Sequence, residues 1–388
     1  MTAKLLNKFV IPRALNLKKH LEHNSLFLLG PRMTGKTTLI RETLSDALVF
    51  DLLSANDFLF LNSNPSGLEE SIPTHIDTVV IDEIQKAPQL LDQVHRLIEM
   101  RSIRFVLTGS SARKLRRGGV NLLGGRAGKI NLHPLLAREL TNEFNLNKAL
   151  RYGTLPIVYL SPEPRQALRN YVGTYLQEEI AAGGIVRNLP SFARFLDIAA
   201  HSNATIVNFA NIASDAQVPR TTVQDYFELL KDTLIAIEVP AWRQSNIRKP
   251  IVRSKFYFFD IGVAQAIQST SIRPREHRAG FAFETWLLNE LQGWIDYNIR
   301  DEKIYFWKSQ SGFEVDFILG NHTAIEIKAK PHVGQRDLRS LRALKEEKVF
   351  QNYVCIYIGE RSLEQSDGIE ILPYAVFLEQ LWEGRYGA

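Results

Sequence analysis

Two groups of residues in this chain have the types and spacing for phosphate chemistry. The first is Gly30-Pro31-Arg32-Met33-Thr34-Gly35-Lys36-Thr37-Thr38, set between the apolar run "LFLL" and the apolar pair "LI". Glycines at both ends of such a loop let backbone N–H groups converge on phosphate oxygens. A helix starting at its far end points its positive pole at the same anion. In that arrangement Lys36 reaches the β- and γ-phosphates of a nucleoside triphosphate and Thr37 ligates Mg²⁺. ATP and Mg²⁺ are therefore the expected cofactors. A structural turn that merely contains Gly35 and Lys36 is the plainer reading, and the strand-like and helix-like flanks argue against it.

"TVVIDEIQKAP" supplies the partner to that loop. The apolar run Val79, Val80, Ile81 leads into Asp82 and Glu83, so both carboxylates emerge at the end of a buried strand. Asp82 is expected to hold Mg²⁺, directly or through water, and Glu83 to polarise the attacking water. A third strand, "RFVLTGS", ends in hydroxyls. Thr108 or Ser110 contacts the γ-phosphate or orients water on one reading; on the other, Ser110 or Ser111 caps a helix.

The second group lies near the carboxy terminus. Glu284 falls on the helical pattern "FAFETWLL", Asp316 within "FEVDFIL", and Glu326 and Lys328 alternate along "AIEIKAK". With a side-chain period of two, Glu326 and Lys328 share one face of a strand while Ile325, Ile327 and Ala329 take the other. Charges beside apolar residues need a partner, and a metal ion supplies one. Asp316 and Glu326, with the carbonyl of Ile327, would hold Mg²⁺ against a scissile phosphate, and Lys328 would orient water or stabilise charge. The alternative is that these charges form a solvated ion pair or bind nucleic acid without hydrolysing it. Gln335 and Arg336 add phosphate contacts or are ordinary exposed residues.

The elements that must position these residues follow from periodicity. "SLFLLG", "ALVFDL", "TVVIDE", "RFVLTGS" and "KINLHPL" alternate with helical patterns, which predicts an α/β domain with a parallel sheet. The pattern turns helical from about residue 164 to 232. Within it, "NFANIASDA", the turn "QVP" and an amphipathic helix from Arg220 read as helix-turn-helix. The runs "TLIAIEVPAW" and "KFYFFDIGVA" follow as strands forming a wing. If this unit reads DNA, Arg220, Thr221, Thr222 and Gln224 face the groove, and Arg243, Arg248, Lys249 and Arg253 at the wing tip grip phosphate. A purely architectural lid is the other reading. A helix and the strands "IYFWKS", "FEVDFIL", "TAIEIKA" and "NYVCIYIG" complete an α/β C-terminal domain. The expected divisions are 1–160, 161–272 and 273–388.

Composition bounds the rest. The chain has 388 residues, with 47 Lys and Arg against 42 Asp and Glu for a net charge of +5, an excess that permits a polyanionic partner without demanding one. One cysteine, Cys355 in "YVCIYI", excludes an intrachain disulfide and suits a reducing cytoplasm. No apolar stretch approaches the roughly 20 residues that span a bilayer. The amino terminus reads as a polar-faced helix rather than a signal peptide. The histidines lack metal-ligand spacing, and Trp286, Trp294 and Trp307 read as core aromatics.

Residues 24 to 135 resemble the ATPase core of the AAA+/STAND-type P-loop superfamily, on "GPRMTGKTTL", "VVIDEIQKAP" and "FVLTGSSARKL". Helix-Glu284, strand-Asp316 and Glu326-x-Lys328 resemble the PD-(D/E)xK nuclease fold, although "SQSGFEVDF" lacks the proline of that name. The whole arrangement resembles a bacterial and archaeal ATPase group that joins the two. The resemblance implies a homo-oligomer, a hexameric ring being one form. In it, Arg126 of "LLGGRAGKINL" resembles the trans-acting arginine that stabilises γ-phosphate charge in a neighbour; a solvated loop arginine is the alternative. The function expected is an Mg²⁺-dependent ATPase that binds or remodels duplex or branched DNA. The alternatives are an ATP-regulated nuclease and a STAND-like assembly switch.

Overall fold

A computed structural model describes residues 10–110, 123–176, 186, 188–268 and 278–387. Five strands, β1 Ser25–Leu29, β2 Leu48–Asp51, β3 Thr78–Asp82, β4 Arg104–Gly109 and β5 Ala127–Asn131, form one sheet in the order β2-β3-β4-β1-β5. Every pairing in it is parallel. Helices cover both faces of such a sheet, so its strands are apolar throughout rather than alternating. Phe27, Leu29, Val79, Ile81, Phe105 and Leu107 pack on one side with Leu90, Leu91, Val94 and Leu97 of α2 (Leu90–Arg101). Leu26, Leu28, Val80 and Val106 pack on the other with Leu39 and Ile40 of α1 (Lys36–Thr43).

The middle of the chain has winged-helix order. Helix α3 (Leu189–His201), strand β6 (Thr205–Ile206), helices α4 (Phe209–Ala216) and α5 (Arg220–Asp232) and strands β7 (Ala236–Val239) and β8 (Lys255–Phe258) follow in that order, the strands pairing as β6-β8-β7. Gln217 adopts φ 54° and turns the chain between α4 and α5. Phe195, Tyr226, Phe227 and Phe256 fill the core beneath them. One expectation is corrected here. "KFYFFDIGVA" is not one strand, because the Asp260 carboxylate accepts from the Val263 N–H and starts helix α6 (Ile261–Ile267).

The last domain opens with α7 (Arg278–Tyr297), continues through β9 (Ile304–Lys308), β10 (Glu314–Leu319) and β11 (Thr323–Lys328), then α8 (Arg339–Lys345) and β12 (Asn352–Tyr357). Two strands the periodicity did not reveal, β13 (Leu363–Glu364) and β14 (Glu370–Pro373), and helix α9 (Tyr374–Trp382) complete it. Sheet order is β13-β14-β12-β11-β10-β9, antiparallel from β9 to β11 and parallel from β11 through β12 to β14. Trp286, Trp294 and Trp307 are buried core residues and Cys355 is a buried strand thiol.

The three parts share one core. Leu135, Leu140, Ala149 and Tyr159 leave the parallel sheet and pack on α7 of the last domain, together with Val239 and Tyr257 of the middle one. The expected division at residue 160 therefore falls within continuous packing, and the one at 272 lies outside the described residues. So do residues 1–9 of the expected N-terminal helix, of which only Leu17–Leu21 is helical among the described residues. No helix among the described residues is long and apolar enough to cross a membrane.

Candidate functional site

The loop Gly30–Thr37 leaves the C-terminal end of β1 and enters α1. Two glycines are required by its geometry. A Cβ on Gly30 would fall 2.5 Å from the Leu132 carbonyl oxygen, and Gly35 adopts φ +96° at the mouth of α1. No side chain caps α1, so its first-turn N–H groups face the loop. Met33 also takes a left-handed φ of 63°. The Thr34 hydroxyl donates to the Pro31 carbonyl at 2.9 Å, and the Arg32 carbonyl accepts from Tyr171 at 3.4 Å. The Lys36 ammonium folds over the loop and donates to the carbonyls of Gly30 at 2.8 Å and Pro31 at 3.2 Å. Thr38 is exposed one residue beyond Thr37.

The parallel register carries Asp82 beside this loop. Its Oδ2 accepts from the Thr37 hydroxyl at 2.9 Å, and its Oδ1 accepts a short bond from the Thr108 hydroxyl. A hydroxyl and a carboxylate in contact at the mouth of a phosphate loop is the donor pair that Mg²⁺ with a nucleotide requires, so the residues present fit that group. Thr108 also accepts from the Glu83 N–H at 3.1 Å, so its hydroxyl orients the two acids rather than facing the loop. Glu83 takes φ 62°, and its carboxylate accepts from Gln85, whose amide also reaches the Ser110 hydroxyl at 3.3 Å. Ser110 is thus tied to the acid through Gln85, and Ser111 lies outside the described residues. Sequence reasoning did not select Gln85; its place two residues after Glu83, on a turn that folds back, was the only signal.

Arg13 was also missed. Its buried guanidinium donates to the Thr34 carbonyl at 2.7 Å, the His133 carbonyl at 2.7 Å and the Tyr297 hydroxyl at 3.0 Å, and it pairs with Glu139 at 3.0 Å. Burial opposes its charge, but Tyr297 and Glu139 outweigh that and hold its pKa above the usual value. One side chain therefore ties the phosphate loop to α7 of the last domain. Beside the loop at Pro31 lies a cavity of about 490 Å³, walled by His133 and Pro134, by Lys231 and Glu238 of the middle domain, and by Gln292 of α7.

Arg126 sits at the opposite end of the sheet, just before β5, and forms an exposed ion pair with Glu99 at 2.5 Å. Strand β5 runs beside β1 from Ser25↔Ala127 to Leu29↔Asn131, so Arg126 stands roughly 16 Å along the strand from its own loop. It cannot serve that loop in cis.

The winged-helix residues divide. Arg220 is exposed and Thr222 half-buried in the first turn of α5, with Thr221 and Gln224 exposed beside them. Asp225 and Glu228 follow on the exposed side of the same helix. The wing tip corrects an expectation. It is docked on the last domain: the Glu347 carboxylate accepts from the N–H groups of Asn246, Ile247 and Arg248. Arg248 is not available to grip phosphate. Its guanidinium donates to the Ala343 carbonyl at 2.8 Å, pairs with Glu346 at 2.5 Å and lies over the Phe313 ring. Arg243 donates to the Val252 carbonyl at 3.0 Å, and Lys249 is exposed while its carbonyl accepts from the Gln310 N–H.

The C-terminal carboxylates converge. Phe317 pairs with Ile325, which sets Asp316 opposite Glu326 on neighbouring strands, and Glu326 forms a short ion pair with Lys328. Asp316 Oδ2 accepts from the Ile327 N–H at 2.7 Å. Glu284 projects from α7 and accepts from Tyr257 and from Lys255 at 2.9 Å. Burial raises Glu284 to about 7, against the pull of Lys255 and with the help of Asp316. Burial likewise raises Asp316, and raises Glu326 well above the carboxylate range. Neither Gln335 nor Arg336 joins this cluster; the Gln335 amide donates to Gln365. Among the described residues no group of three or more His, Cys, Asp or Glu is arranged to hold a metal ion.

Residues 22–141 match the model of a family described as an AAA domain. Residues 143–274 and 279–377 match two domains of unknown function, DUF8612 and DUF4143. Uncharacterized proteins of Mycobacterium bovis and Mycobacterium tuberculosis are each 27% identical over 382 residues, covering 93% of this chain and 82% of theirs. Among solved structures, a STAND protein with a tetratricopeptide repeat sensor from Pyrococcus horikoshii aligns with TM-score 0.25 and 12% identity, over 75% of this chain and 48% of that one. This chain thus spans about half of that protein. The Aeropyrum pernix ORC1 protein, solved in complex with DNA, aligns with TM-score 0.29 and 14% identity, over 69% of this chain and 94% of that one. The segment 22–141 thus combines a parallel sheet and a phosphate-type loop with a match to an AAA domain.

Proposed function

We propose that this chain is an Mg²⁺-dependent ATPase whose nucleotide state is transmitted to its winged-helix and C-terminal domains. The observation that carries it is the contact of Thr37 with Asp82 at the mouth of the Gly30–Thr37 loop, with Glu83 next in the chain. Loop N–H groups and Lys36 bind the phosphates, while Thr37 and Asp82 hold the metal. Bound Mg²⁺ would neutralise charge on the β- and γ-phosphates. Glu83 accepts the proton of the attacking water once Gln85 releases or reorients it. The cavity beside Pro31 has the size for a nucleobase and is walled by the parts that would sense it.

DNA is the partner that the winged-helix order favours, reached through Arg220, Thr221 and Gln224 rather than through the docked wing. A STAND-like switch is the second reading, favoured by Arg13, which ties loop and α7 in one hydrogen-bonded set. In a ring, Arg126 would act on a neighbouring copy. The test is ATP hydrolysis measured with and without a panel of single-stranded, duplex and branched DNA. Lys36→Ala should abolish nucleotide binding. Glu83→Gln should keep binding and lower turnover by about 10²-fold or more. Normal turnover in Glu83→Gln would refute the assignment of the base, and turnover indifferent to all DNA would leave the switch.

A further inference from the structure

The ordered set Glu284, Asp316, Glu326 and Lys328 is the arrangement that ought to hold a divalent ion, and one observation favours an ion: the buried Glu326 Oε2 has no hydrogen-bond partner. The rest of the geometry opposes it. Lys255, only 2% exposed, enters from β8 of the winged-helix sheet and places its ammonium 2.9 Å from Glu284 and 2.8 Å from Glu314. The same ammonium lies over the Phe306 ring at 5.3 Å. Glu314 turns its other oxygen to Lys308 at 2.7 Å, Glu326 Oε1 is taken by Lys328, and Asp316 Oδ2 by a backbone N–H. A hard cation requires several oxygens free to turn toward one point. Here one oxygen each of Glu284, Asp316 and Glu326, and both oxygens of Glu314, already face ammonium groups or N–H and O–H donors.

We propose that Lys255 is a resident cation that supplies, from the preceding domain, the positive charge a divalent metal would otherwise bring to the C-terminal carboxylates, so that the site in the intact chain excludes Mg²⁺. Two observations agree with it. Removing an ammonium from water is costly unless carboxylates pair with it, and the buried Lys255 is met by both Glu284 and Glu314. The plug also comes from another domain: β8 pairs with β7 and β6, so the ammonium stays in place only while the winged-helix sheet stays docked.

The experiment is a Mn²⁺ titration of the full chain, without nucleotide, read by electron paramagnetic resonance of the free ion. It is done in an Asp82→Asn background to silence the phosphate-loop metal. With Lys255 intact, no Mn²⁺ should bind with a Kd tighter than about 1 mM, the weak end of natural oxygen-ligand sites. Lys255→Met keeps an unbranched side chain one atom shorter and removes the charge; it should gain one Mn²⁺ per chain, at least tenfold tighter, lost again on adding Asp316→Asn. Lys255→Arg, which retains the charge, should bind none. One tightly held Mn²⁺ in the Lys255 protein, lost in Glu326→Gln, would overturn the proposal even if Lys255→Met failed to fold. A folded Lys255→Met that still ignores Mn²⁺ would overturn it as well. Because no nucleotide is present, the outcome is independent of whether the chain hydrolyses ATP.

Discussion

Glu290 offers a quantitative test of how the domains are joined. It lies on α7, fully buried, with Oε1 accepting from the Ala137 N–H at 2.8 Å and Oε2 without a partner. Burial raises its pKa from 4.5 to about 8; Glu139 adds to the rise and the Ala137 N–H and Arg138 oppose it. The folded chain therefore holds this proton more tightly than the unfolded chain does. Its contribution to stability is complete below pH 4.5 and is lost as pH rises toward about 8. At roughly 1.4 kcal/mol per pH unit, that interval is worth at most about 5 kcal/mol. Glu290→Gln keeps the acceptor for Ala137 and replaces the carboxylic O–H with an amide, so it removes the ionisation and little else. The two proteins should melt together near pH 4, and the variant should melt several degrees higher at pH 8.5. A difference in melting temperature that is the same at both pH values would refute the reasoning.

Gly153 takes φ +74°, and a Cβ there would fall 1.9 Å from the Asp260 carboxylate that binds the N–H groups of Thr154 and Leu155. Gly153→Ala should destabilise the chain by about 2–4 kcal/mol, read as a lower urea midpoint; an unchanged midpoint would count against that lock. Arg248→Ala should lower stability by about 1–2 kcal/mol while leaving any DNA affinity and its salt dependence alone, because that guanidinium serves the domain junction. Arg220→Ala should weaken DNA binding and reduce the slope against salt by about one. A larger loss from Arg248→Ala than from Arg220→Ala would restore the wing as the phosphate grip.

The phosphate loop was legible because its chemistry is local: Gly30, Gly35, Lys36 and Thr37 lie within eight residues, and a strand and a helix bracket them. Asp82 and Glu83 were legible for a similar reason, since an apolar run that stops at two acids marks the end of a buried strand. What escaped notice depends on long-range pairing. Arg13 meets Thr34 and Tyr297, the latter 284 positions away, and nothing in its neighbourhood marks it. Lys255 reads as an ordinary strand lysine beside a basic wing until α7 folds over it. The wing tip was misjudged because four cations in a short hairpin look like a solvent-facing patch, whereas Glu346 and Glu347 await them on another domain. In "FFDIGVA", the run of apolar residues outweighed Asp260 as a helix start.

The docking of the wing has a consequence for how this chain can be divided. Strand β9 is the last in its sheet, and its outer backbone groups bond to the wing: Phe306 N–H to Pro240, Trp242 N–H to Phe306, Ile251 N–H to Lys308. A fragment beginning near residue 279 would bare that row of donors and acceptors, a ready template for another chain. Self-association of such a piece would reflect a missing neighbour rather than a natural dimer, and its solubility would return when residues 240–251 are supplied.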